Sequence, residues 1–192
     1  MSNARWIPIA GYALLMMLLQ GIGPQIFRYD SALIEQGQLW RWFSAHLVHA
    51  NWIHLALNMA GFVLCAGITG VAWSFWQWTW RIILLAFFIS AGFFLLQPKM
   101  GWYVGFSGVL MGLYLLAAAA TFKQQPIISL LLAGFIMVKI IMEQVSSVNM
   151  TSSDLIGVPV MVDAHFYGVT VALVLIIIQR CYYYFYIRNR QV

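Results

Sequence analysis

Six apolar runs dominate the chain, separated by short polar or aromatic stretches. They cover roughly Trp6 to Phe27, Trp52 to Val71, Arg81 to Gln97, Gly105 to Phe122, Ile127 to Gln144 and Ala164 to Ile187. Each is long enough, or nearly so, to cross a bilayer as a helix, which takes about 20 residues. Lys123-Gln124-Gln125-Pro126 marks a helix stop and restart. A polar and aromatic stretch, Arg28 to Asn51, follows the first run, and a tryptophan-rich turn, Ala72 to Trp80, follows the second. A loop rich in Ser, Thr, Asn and Asp, Val145 to Asp163, precedes the sixth. The pattern predicts an all-α fold: a polytopic membrane protein made of a six-helix transmembrane bundle.

Composition agrees and removes the alternatives. The 192 residues are 63% hydrophobic and 8% charged, with a mean hydropathy of +0.85. So few charges cannot cover the surface of a soluble domain. The expected organisation is one six-span unit over residues 1–192, with no soluble domain and no cleavable signal peptide. The net charge of +5 comes from ten scattered basic residues that form no patch, so no nucleic-acid partner is expected. Six of them, Arg5, Arg81, Lys123, Arg180, Arg188 and Arg190, fall on the side of the termini. The positive-inside rule therefore puts both termini in the cytoplasm. Trp73, Trp76, Trp78, Trp80 and the run Tyr182 to Tyr186 fit an inner aromatic belt. Cys65 and Cys181 read as packed free thiols, with no metal spacing. Lys139 and Glu143, one turn apart, are expected to pair near the outer surface.

Polar residues inside spans are costly and point to function. The four histidines, His46, His49, His54 and His165, all fall on the outer half. Counting back from Lys123, Ser107 lies about 24 Å from the inner boundary at the helical rise; His165, counted from Arg180, and Asn58, counted from Trp73, each lie about 22 Å from it. A serine, a histidine and an asparagine on three helices thus share one depth. Ser107 opens a helix, where free N–H groups and the helix dipole favour negative charge. Glycines 105 and 108 flank it and allow close backbone approach. His54 and Asn58 lie on one helix face. A histidine that takes and returns the serine proton makes a nucleophilic dyad. Asp163 is two residues before His165 and is not assigned to orient it, so no third member is expected. Each feature has a plainer reading: a histidine bonding a carbonyl, a small-residue packing face from Gly108 to Gly112 matched by Gly168 and Ala172, and a polar pair across helices.

The constellation resembles the rhomboid family of intramembrane serine proteases, in its compact bacterial, GlpG-type branch. The matching residues are Trp40-Arg41, the His49, His54 and Asn58 series, Gly105-x-Ser107-Gly108, and Ala164-His165-x-x-Gly168. The resemblance implies a serine endopeptidase that cleaves transmembrane segments of other membrane proteins. Ser107 would be the nucleophile and His165 the general base. His54, Asn58 and the Ser107 backbone N–H would form the oxyanion hole. His49, Trp40 and Arg41 would support the first loop. The family's compact form implies no added N-terminal domain, no seventh helix, no cofactor and no metal. Its partners would be the bilayer and membrane-protein substrates, in a bacterial inner membrane with the site facing the periplasm. Two departures stand out: Met111 occupies a position where many relatives have a tyrosine stacked on the histidine, and Val162-Asp163 replaces an Asn-Gly pair.

A substrate helix has its backbone bonds internally satisfied. Substrates are therefore expected to carry helix-weakening residues near the outer end of their span. The loop from Val145 to Asp163, lacking a strong apolar anchor, is expected to be a mobile cap, with the fifth span leaning aside. Three rival readings have requirements of their own. A binding-only member of the same fold would usually lack the serine or the histidine. A transporter or proton channel would need carboxylates or histidines along a whole path, and no Asp or Glu lies from Gln36 to Met142. A di-histidine haem protein would need facing ligand pairs.

Overall fold

The computed structural model describes residues 6–145 and 152–187. Arg5, Arg188 and Arg190, which entered the charge argument, lie outside the described residues, as do residues 146–151 of the expected cap.

The apolar runs form helices. In chain order they are α1 (Trp6–Ile22), α2 (Pro24–Phe27), α3 (Ser31–Glu35), α4 (Arg41–Ser44), α5 (Trp52–Thr69), α6 (Phe75–Leu96), α7 (Ser107–Thr121), α8 (Pro126–Val145), α9 (Ser152–Ile156) and α10 (Val162–Tyr182). A π-helical turn, Tyr183–Ile187, continues α10. Among the described residues, α5, α6, α8 and the segment Val162–Tyr186 are long and apolar enough to cross a membrane. α1 and α7 are apolar but shorter. At about 1.5 Å per residue, the 15 residues of α7 reach only about 22 Å. That is less than the roughly 30 Å of a hydrocarbon core. The protein is therefore an all-helical membrane-type bundle.

The stretch before α5 is not a plain loop. Besides α2, α3 and α4 it holds a 3-10 turn, Ala45–Leu47, and a two-residue strand β1 (Tyr29–Asp30). β1 pairs antiparallel with β2 (Trp102–Tyr103), the segment that leads into α7. The Asp30 side chain caps α3 by accepting from the Leu33 N–H, and Ser31 Oγ donates to the Met100 carbonyl. The Gly105 N–H donates to the Ala45 carbonyl at 3.0 Å. The start of α7 is thus tied to the first loop by backbone bonds.

α6 begins earlier than its apolar run suggested. Ser74 and Gln77 form a reciprocal capping box, which satisfies two free N–H groups at the helix start and draws the tryptophan-rich turn into the helix. Trp73 and Trp78 are buried and meet edge to face at 4.7 Å, with Phe62 packed on Trp78. Those two are core residues, not belt residues; Trp76 is exposed. The Arg81 guanidinium lies over the rings of Trp73 and Trp80 at 4.1 and 4.0 Å. Cys65 is a buried free thiol, whereas Cys181 is exposed, which corrects the expectation that both are packed.

The core centres on α7, which is flanked by α5, α6, α8 and α10. Its most extensive contact is with α10. A Cβ added at Gly108 would stand 2.6 Å from the Ala164 carbonyl oxygen, and one at Gly112 would stand 2.8 Å from that of Gly168. The small-residue faces expected from the sequence therefore bring these two backbones together. α8 is the least buried of the long helices.

Candidate active site

Ser107 is the first residue of α7 and His165 lies in the first turn of α10. Close α7–α10 packing brings the two side chains into contact. His165 Nε2 and Ser107 Oγ are 2.9 Å apart, and His165 is buried. Before Ser107, Gly105 takes φ of +129°, a region that disfavours side chains. A Cβ there would also stand 2.9 Å from Cε1 of His54. Gly105 is thus required both by its conformation and by the nearness of the His54 ring.

His54 and Asn58 rise from α5, which is capped by Asn51, whose side chain accepts from the His54 N–H. Asn58 Nδ2 donates one hydrogen to the His54 carbonyl at 2.9 Å. An amide nitrogen carries two hydrogens, so one remains for another acceptor. His54, Asn58, Ser107 and His165 line one cavity of about 490 Å³, together with Gly61, Met111, Tyr114, Lys139 and Ile156. The cavity runs from the polar cluster onto apolar walls contributed by α5, α7 and α8. The depth agreement read from the sequence corresponds to a shared cavity.

The remaining predicted residues sit behind it. His49 is fully buried, and its ring meets that of His54 edge to face at 5.0 Å. The Gln20 amide clamps the His49 backbone, donating to its carbonyl at 3.0 Å and accepting from its N–H at 2.8 Å. Burial and the neighbouring His54 push His49 down to about 3. His46 is likewise lowered to about 3, chiefly by burial. Ser90 Oγ donates to the Trp42 carbonyl, so it accepts from His46 Nε2 at 3.0 Å. Arg41 is buried and donates to the carbonyls of Arg28 and Gln25 at 2.7 and 3.2 Å, and to Gln38 Oε1 at 2.8 Å. It knits the first loop together. Trp40 is 52% exposed and takes no part in that network. Gly168 lies against Gly108 on the α7–α10 face. Asp163 accepts from Gln97 Nε2, so it is engaged with the residue that follows α6.

Glu143 is the residue that the sequence reading did not place in the site. Its Oε2 lies 2.8 Å from His165 Nδ1, and its other oxygen accepts from Lys139 Nζ. The histidine therefore has a carboxylate partner, contrary to the expectation of an isolated dyad. The Lys139–Glu143 pair forms as expected, but it faces the site rather than only the outer surface. A depth count could have found it: Glu143 is 17 residues beyond Pro126, about 26 Å of helix, close to the depth of Ser107 and His165. The cap also has an anchor that its composition did not reveal. Ile156 is buried, it lines the cavity, and its carbonyl accepts from Asn51 Nδ2 at 2.6 Å. Among the described residues no group of three His, Cys, Asp or Glu side chains is arranged to hold a metal ion.

A family model for the Rhomboid domain matches residues 36–181, a stretch that contains every cavity residue named above. A search of curated proteins returned no match. The chain belongs to the rhomboid family, most of whose members are intramembrane serine proteases.

Proposed function

We propose that the protein is an intramembrane serine endopeptidase that cleaves peptide bonds in or next to transmembrane segments of other membrane proteins. The observation that carries this reading is the 2.9 Å contact between His165 Nε2 and Ser107 Oγ at the N-terminus of α7. It lies in a cavity also lined by His54 and Asn58.

In this mechanism His165 Nε2 takes the Ser107 hydroxyl proton as Oγ bonds to the substrate carbonyl carbon. The carbonyl electron pair moves to oxygen. That oxyanion is met by the Ser107 N–H, the free Asn58 amide hydrogen and the His54 ring. Donors aimed at developing charge in a dry site contribute about 3–4 kcal/mol each to such steps. The intermediate collapses as His165 gives its proton to the leaving amine and the C–N bond breaks. Water then attacks the Ser107 ester, with its proton passing to His165 and back to Oγ as the C–O bond breaks.

The apolar cavity walls suit a lipid-embedded substrate. A transmembrane helix must unwind to present its carbonyl, since its backbone groups are otherwise bonded. Substrates with Gly, Pro or polar residues near the outer end of their span are the expected class. The chain as a whole is read as one six-span unit of the compact bacterial form. α1 and the short α7 complete the count, with both termini in the cytoplasm of a bacterial inner membrane and the cavity facing the periplasm. Lys123, Arg81 and Arg180 on the terminal side support that orientation.

Purified protein reconstituted with a single-span substrate tests the reading. Cleavage that Ser107→Ala and His165→Ala each abolish is the expected result. Substrate capture without cleavage by the unaltered protein would instead establish a non-catalytic member that binds transmembrane helices.

A further inference from the structure

We propose that Glu143 is the positioning residue for His165, held in place by Lys139, so that the serine–histidine pair works as a three-member relay whose carboxylate comes from α8. The inference rests on the protease reading above and deepens it.

A carboxylate has no hydrogen to give, so Glu143 Oε2 accepts from His165 Nδ1 at 2.8 Å. A proton on Nδ1 leaves Nε2 of the neutral ring with its lone pair. That nitrogen faces Ser107 Oγ at 2.9 Å, which is the tautomer a general base needs. Lys139 takes the other carboxylate oxygen. Lysine donates only, so its contact with one carboxylate oxygen fixes which oxygen meets the ring. Three contacts in series thus link Lys139 to Glu143, Glu143 to His165 and His165 to Ser107.

The placement is costly and specific. Charged groups within an apolar helix are rare and face a site, and Glu143 and Lys139 are the only charged residues of α8. A bare surface pair would not need one oxygen directed at a buried histidine. Met111, also in the cavity, offers no hydrogen-bond donor to orient the ring, so the orienting role falls to the carboxylate.

Lys139 makes the test sharp. In Glu143→Gln, the ammonium claims the amide oxygen and turns the NH2 toward His165 Nδ1. An NH2 facing Nδ1 favours the tautomer with the proton on Nε2, which cannot take one from Ser107. Placing the wrong tautomer in a related triad costs about 10⁴-fold in kcat. The expected result for Glu143→Gln is a kcat loss of about 10³–10⁴-fold with KM little changed, and an equal loss in the rate of fluorophosphonate labelling. In Lys139→Met/Glu143→Gln the amide is free to turn its oxygen to Nδ1. The double variant should recover at least about tenfold of that loss. A purely structural role predicts no such recovery, because the second change removes a further contact.

Labelling is read per folded molecule. A Glu143→Gln rate within about threefold of the unaltered protein, or a double variant no faster than the single, overturns the proposal. Faster substrate cleavage by Glu143→Gln would make the contact a latch between α8 and α10 and would also overturn it. These outcomes leave the protease reading standing so long as labelling depends on Ser107 and His165. An unaltered protein that neither labels nor cleaves overturns that reading and the relay with it.

Discussion

Gly168 faces Gly108 so closely that a Cβ on Gly168 would stand 2.0 Å from the Gly108 carbonyl oxygen. This backbone contact, and not the side chains alone, sets the distance between Ser107 and His165. Gly108 follows the serine directly, and Gly168 is three residues beyond the histidine. Any side chain at either position forces α7 and α10 apart. Gly168→Ala should therefore lower thermal stability by about 1–3 kcal/mol, the usual cost of overpacking. It should also reduce activity by more than about tenfold, since misplacing a catalytic group by about 1 Å costs on the order of 100-fold. Gly134→Ala, where a Cβ meets nothing within 4 Å, is the control. Melting and cleavage assays on the two variants check this.

Acid should loosen the region behind the cavity. His46 and His49 titrate near 3 in the folded protein, against an ordinary value of 6.5. Their neutral forms are the ones that fit the fold, so the unfolded chain binds protons more readily. The stability they contribute is fully present above about 6.5 and is lost as pH falls from there toward 3. Melting temperature should drop across that window. His49→Phe, which removes one titrating group while keeping a ring against His54, should show a shallower drop. An unchanged slope would contradict it.

The segment around Ile156 should govern access. Ile156 covers one side of the cavity and is held by its own burial and by the Asn51 amide. If the segment must lift for a substrate to enter, weakening its anchor lowers the cost of opening. Ile156→Val should raise kcat/KM for a transmembrane substrate about fivefold, the equivalent of about 1 kcal/mol for the one buried methylene removed. A rate equal to or below that of the unaltered protein would show that this segment does not have to move.

Arg41 should matter through charge geometry rather than charge alone. Its guanidinium serves two carbonyls and one amide oxygen on different parts of the first loop. A lysine cannot span that fan of acceptors. Arg41→Lys should therefore destabilise nearly as much as Arg41→Ala, by about 1–3 kcal/mol for buried acceptors left unpaired. Paired melts of the two variants decide it.

Much of the fold and of the site is legible in the sequence. Apolar runs located the helices because the bilayer imposes their length. The shared depth of Asn58, Ser107 and His165 located the cavity because helical rise is fixed. Ser74 and Gln77 carried a readable cap signature, and it places the start of α6 where run length alone did not. Other features depend on relations between distant segments. Pairing of Tyr29 with Tyr103 and the Gln20–His49 clamp join residues with no local pattern between them. Trp73 and Trp78 read as belt residues because sequence does not show which face of a helix meets Phe62. Glu143 was visible as a charge in an apolar helix. Its meeting with His165 depends on how α8 is rotated against α10, and a single sequence does not encode that rotation in any local spacing.

In the proposed mechanism Ser107 is a nucleophile activated by His165. Incubation of the detergent-solubilised protein with a fluorophosphonate, followed by mass mapping of the adduct, tests it most directly. The expected result is one adduct, on Ser107, that is lost in His165→Ala while that variant keeps its fold. A folded protein with no adduct, or an adduct undiminished in His165→Ala, would contradict it.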